Sequence, residues 1–139
     1  MRTCELEWSA ADYWYARAAA FAPTVPAGEA EWGESFLRRG DFDRAIAHFR
    51  KAHAIGTHFA DPLEMWGEAL IGKNRSDLAL AKFEEAARYA PNWGRLHFEW
   101  GKALKWTGDR AGAQKQLGVA SRLYLAPADR AQLARMRSG

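Results

Sequence analysis

Residues 32–40 read WGESFLRRG, and the same pattern returns as WGEALIGKN at residues 66–74 and as WGKALKWTG at residues 100–108. The interval is 34 residues both times. With 7 Trp and 12 Gly in 139 residues, two chance recurrences of Trp-Gly at one fixed spacing have odds of about one in fifty thousand. A period of this size means that each unit is one supersecondary element, too small to bury its own apolar face and stacked on its neighbours.

Moving outward in the same register, Ala45, Ala79 and Ala113 align, then Phe49, Phe83 and Leu117, then Ala52, Ala86 and Ala120. The units run 26–59, 60–93 and 94–127. In the first, Trp32 and Phe36 keep helical spacing up to Gly40, and Phe42, Ala45, Ile46, Phe49, Ala52 and His53 resume it afterwards. Each unit is therefore a hairpin of two helices. Gly40, Asn74 and Gly108 stand where the first helix must end in a left-handed residue. Asp41 or Asp43, Ser76 or Asp77, and Asp109 are placed to cap the second helix. Gly33, Ala45 and Ala52 let the two backbones approach, while Trp32, Phe36 and Phe49 fill the surrounding space.

Trp-Gly, the paired alanines, the aromatic between them and Pro91 at the close of a unit resemble the tetratricopeptide repeat (TPR) over residues 26–127. Departures are local: the first-helix Leu of the family is Trp in all three units, the closing Pro is Thr57 and Leu125 elsewhere, and the aromatic after the turn is Phe42 but then Ser76 and Arg110. The resemblance implies an all-α, TPR-type helical-hairpin solenoid wound as a right-handed superhelix. Residues 1–139 then form a single domain of three full repeats with an N-terminal half repeat over 1–25 and a C-terminal capping helix over 128–139.

In the half repeat, Ala11, Tyr15, Ala18 and Pro23 fall at second-helix offsets of a preceding unit, so residues 9–22 read as a second helix, and residues 1–8 are too few to form the first. Trp8, Tyr13, Trp14, Tyr15 and Phe21 are many rings for one helix lacking its partner. The expectation is an aromatic patch covered by residues 1–7, by another subunit, or by further sequence. Self-association through this N-terminal helix is accordingly expected.

Composition sets the function classes. An apolar share of 48% and a charged share of 27% suit a packed domain, and no apolar run reaches the roughly 18 residues that a membrane helix needs. Arg2 is followed by Glu5, Glu7 and Asp12, the wrong charge order for a secretory signal, and a lone Cys4 fits a reducing compartment, so the reading is cytoplasmic. Residues 1–93 carry 11 basic and 14 acidic side chains, residues 94–139 carry 9 and 3. Trp100 and Trp106 in that basic end raise nucleic acid as a ligand; the acidic first two units and the lack of a Lys/Arg cluster weigh against it.

His48, His53 and His58 recur every five residues, a step of about 140° that scatters them around a helix, so no metal site is expected. No GxSxG, GxxxxGK or GxGxxG run occurs, and paired acids such as Glu84-Glu85 lie on a helix surface. Neither a catalytic residue nor a cofactor is expected. The same placement of Trp32, Trp66 and Trp100 in every unit reads as scaffold rather than as a cation cage.

What the resemblance implies instead is a protein-interaction module whose concave groove holds a peptide or protein segment. The family's groove-facing offsets carry Glu34, Leu37 and Arg38 in the first unit, then Asp61, Glu64, Met65, Glu68 and Ile71 in the second. In the third unit they carry Arg95, Phe98, Glu99, Lys102, Lys105 and Trp106. This predicts a groove acidic toward its N-terminal half and basic toward its C-terminal half, with Met65, Ile71 and Phe98 as apolar anchors. At the offsets where chaperone-binding members hold a C-terminal carboxylate stand Ala30, Glu34, Met65, Arg95 and Glu99, of which only Arg95 suits an anion, so such acidic tails are not expected ligands. The alternative role is an assembly unit stacked end to end or within a longer solenoid.

Overall fold

The computed structural model describes residues 2–138, with side chains from Glu7 onward. Among these residues all regular structure is helical: α1 (Arg2–Phe21), α2 (Pro26–Arg38), α3 (Phe42–Ile55), α4 (Ala60–Gly72), α5 (Ser76–Tyr89), α6 (Gly94–Thr107), α7 (Arg110–Ser121) and α8 (Pro127–Ser138). Three antiparallel hairpins, α2/α3, α4/α5 and α6/α7, stack in order.

Their turns are built identically. Gly40, Asn74 and Gly108 have φ of +78°, +60° and +91°, and the next amide in each case reaches back to close the helix. Asp41 N–H donates to the Phe36 carbonyl at 3.0 Å, Arg75 to Leu70 at 2.8 Å and Asp109 to Leu104 at 3.0 Å. Asp41 then caps α3 by accepting from Arg44 N–H, and Asp109 caps α7 by accepting from Gly112 N–H. The middle unit differs from expectation. Its cap offset is held by Arg75, which has no acceptor, so neither Ser76 nor Asp77 caps α5; Ser76 is already the first helical residue.

The Trp-Gly signature has a steric cause. A Cβ on Gly33 would lie 2.6 Å from Phe49 Cε1, one on Gly67 2.6 Å from Phe83 Cζ, and one on Gly101 2.6 Å from Leu117 Cδ2. In every hairpin the second helix thus seats its central side chain in a notch of the first. Phe49 and Phe83 are fully buried there, and Leu117 nearly so. Successive first helices (α2, α4, α6, then α8) touch one another, whereas α3, α5 and α7 touch only first helices. The stack therefore curves with the first helices inside.

At the N-terminal end, α1 is one 20-residue helix that includes residues 2–8. Those residues could not nucleate a helix by themselves, but they extend one already nucleated by residues 9–21, a step that fixes one residue per hydrogen bond. They do not fold back over the aromatic patch. Helix α1 rests on α2 alone, pinned by Asp12, which accepts from Trp32 Nε1 at 3.0 Å and pairs with the Arg39 guanidinium. Those Arg39 hydrogen bonds hold the Asp12 carboxyl below its ordinary range, against the opposing effect of burial. Tyr15 is half-buried, while Trp8, Tyr13, Trp14 (66%) and Phe21 (92%) are exposed.

At the other end α8 packs through Leu133 onto Phe98 and Leu117. The offsets that carry Trp-Gly in the three units carry Ala134-Arg135 in α8, both exposed.

Candidate functional site on the concave face

The inner surface belongs to α2, α4 and α6, with α8 at its end. Glu34 and Arg38 form an exposed i,i+4 pair at 2.9 Å. Leu37, Met65 and Ile71 are half-buried against the core, Asp61 is exposed, and Lys105 and Trp106 are exposed at the far end.

The centre is a charge cluster around Arg95. Its guanidinium stands 2.7 Å from Glu68, 2.8 Å from Asp129 of α8, 3.7 Å from Glu99 and 3.9 Å from Glu64. Lys102 adds a 3.2 Å pair with Glu99 and lies 5.0 Å from the Phe98 ring centroid. Burial would lower the Arg95 pKa, but Glu68, Glu64 and Glu99 outweigh it and hold the side chain firmly charged. Glu64 is only 1% exposed, and its Oε1 has no hydrogen-bond partner. Burial, reinforced by Glu68 and Glu99, pushes its carboxyl well above the usual range and favours the protonated form. Burial also raises Glu99, with Glu68 adding to it and Lys102 and Arg95 opposing.

This geometry corrects two expectations. The face is not divided evenly into an acidic and a basic half: of the three basic residues expected to define the second half, Arg95 and Lys102 are paired with carboxylates of α4, α6 and α8, and Lys105 at the far end stays exposed. Phe98 is fully buried beneath α8, so it belongs to the core rather than to a ligand anchor, and Glu64 and Glu99 are likewise inaccessible. Asp129 is a participant that sequence reasoning missed. It sits 34 residues beyond Arg95, at the same groove-facing offset, so extending the register into α8 would have found it.

The histidines have packing partners. His48 lies 2.6 Å from Glu29 and stacks on Trp32; His58 stacks on Tyr89; His53 lies 3.4 Å from Glu85. His97 Nε2 donates to the Pro91 carbonyl at 2.7 Å, with Gln116 at 2.7 Å from Nδ1. Among the described residues no three His, Cys, Asp or Glu side chains converge as a metal site. None of the helices there is long and apolar enough to cross a membrane.

Hairpins with this period, turn and notch define a class: the chain has the tetratricopeptide-repeat fold. A thermophilic TPR protein of Thermus thermophilus, TTC0263, superposes with a TM-score of 0.79 at 21% identity, covering 97% of this chain and 77% of that one. A crystal structure of MamA superposes with a TM-score of 0.76 at 12% identity over 99% of this chain and 82% of its own, and a second MamA structure gives 0.73 at 20% identity over 86% and 70%. No family model and no curated protein matches the sequence.

Proposed function

We propose that the chain is a non-catalytic, cytoplasmic protein-interaction module whose concave face takes a basic, extended or helical segment of a partner protein. The observation that carries this reading is the charge imbalance at the centre of the face. Glu64, Glu68, Glu99 and Asp129 stand against Arg95 and Lys102, four carboxyl groups to two cations, with exposed Asp61 on the same face; burial favours the protonated forms of Glu64 and Glu99, so Glu68, Asp129 and Asp61 are the acids that a ligand meets. A Lys or Arg side chain laid across α4 and α6 meets that excess, with half-buried Met65 and Ile71 beside it as apolar contacts. An acidic tail finds Arg38, Arg95 and Lys102 already paired with carboxylates. Calorimetric titration with a capped peptide of alternating Lys and Leu tests the reading: Glu68→Lys weakens binding at least about tenfold with helicity unchanged, and equal affinity of both proteins refutes it.

A second reading, self-association through α1, is favoured by the exposed Tyr13, Trp14 and Phe21 rings opposite the α2 contact. Mass measured in solution shows a wild-type oligomer that Trp14→Glu converts to monomer; a wild-type monomer at high concentration refutes it.

A further inference from the structure

A cavity of about 650 Å³ lies away from the Arg95 cluster, between the end of α6, the start of α7 and the last turn of α8. Its floor is apolar, made by Ala113, Leu117 and Met136, and its rim carries Lys105, Arg110 and Arg137. Among the described residues no carboxylate lines it. What distinguishes the three rim cations is their convergence on one apolar cavity, and among the described residues none of them stands within ion-pair distance of an acid. The volume falls within the roughly 300–1,000 Å³ of ordinary ligand sites, ample for one large side chain and the backbone beside it.

The repeat itself indicates what shape belongs there. Arg110 occupies the unit offset held by Phe42 in the first repeat. At that earlier junction the Phe42 ring runs between hairpins, so near to α4 that a Cβ on Gly72 would lie 2.5 Å from Cε1. The middle unit has Ser76 at this offset and the last junction a guanidinium, and beside that guanidinium the space is open to a ring like that of Phe42. We propose that this cavity is a second binding site, distinct from the Arg95 cluster though it shares Lys105 with the far end of the concave face, and that it takes an acidic protein segment through one inserted aromatic side chain. The ring replaces the missing phenylalanine on the aliphatic floor, and flanking carboxylates pair with Lys105, Arg110 and Arg137. A single-stranded nucleic acid fits less well, because stacked bases need aromatic platforms and the lining has none.

The experiment is a titration of the full chain, followed by calorimetry and amide chemical shifts, with a capped Glu-Glu-Phe-Glu-Glu peptide. Expected are shifts confined to the α6–α7 turn and the last turn of α8, and a weakening of about tenfold or more with either Arg110→Glu or Lys105→Glu, both at exposed positions. Gln114→Trp, which fills the cavity from its rim, gives the same loss. Glu-Glu-Ala-Glu-Glu and Lys-Lys-Phe-Lys-Lys bind at least about tenfold more weakly than the test peptide. Glu68→Lys leaves the affinity within about twofold, so failure here is distinguishable from failure of the concave-face reading. No binding of the test peptide, equal binding of the alanine peptide, insensitivity to Arg110→Glu, or tighter binding of an oligo-dT strand through the same residues overturns the proposal.

Discussion

Gly67→Ala adds one methyl group where the hairpin has no room for it. The new Cβ would lie 2.6 Å from Phe83 Cζ and closer still to Cε1, whereas carbon atoms rest at about 3.5–4.0 Å. Phe83 is fully buried among Leu63, Leu70 and Leu96, so its ring cannot swing away without displacing the core. Overpacking of this kind costs about 1–3 kcal/mol, and a clash with a rigid ring lies at the upper end of that range. Replacing glycine by alanine inside a helix returns about 1 kcal/mol through propensity. The net destabilisation is about 2 kcal/mol, a fall in Tm of roughly 4–10 °C for a chain of this size. Gly118→Ala is the internal control, since a Cβ there meets nothing within 4 Å; propensity alone acts, and the variant gains about 0.5–1 kcal/mol. Urea unfolding followed by circular dichroism measures both. If Gly67→Ala proves as stable as Gly118→Ala, the notch does not exist and the steric reading of the Trp-Gly repeat is wrong.

Glu64→Gln changes how stability depends on pH. In the unfolded chain Glu64 titrates near 4.5 and in the folded chain well above it, so between the two values the folded state holds the extra proton. Its contribution is whole below the unfolded value and is lost as pH rises through the folded one; Gln cannot ionise, so the Tm advantage of Glu64→Gln grows from about pH 5 upward, and parallel Tm curves would contradict the assignment. Arg75→Asp installs at the middle turn the cap that Asp41 and Asp109 supply in the other units, and stabilises by about 1 kcal/mol in urea unfolding.

Much of this was legible in the sequence because the repeat states the same physics three times. The Trp-Gly pairs, the left-handed Gly40, Asn74 and Gly108, and the buried Phe49, Phe83 and Leu117 each follow from a local rule with one solution. The ends were harder. Whether residues 2–8 are helical depends on their continuity with residues 9–21, which a count of short segments misses. The concave face was the least legible part, since offsets identify which residues turn inward but not what meets them there. Arg95 and Lys102 looked like a free basic surface until Glu68 from the preceding hairpin and Asp129 from α8 were seen beside them. Phe98 looked like an anchor because the helix that covers it lies more than a full hairpin later in the chain.

The most direct test of the concave face as the partner surface is amide chemical-shift mapping of the Lys-Leu peptide on wild-type protein and on Glu68→Lys. Expected are shifts along α2, α4 and α6, centred on Asp61, Glu68 and Arg95, that vanish in the variant. Shifts confined to α3, α5 and α7, or an unchanged pattern in Glu68→Lys, would contradict it.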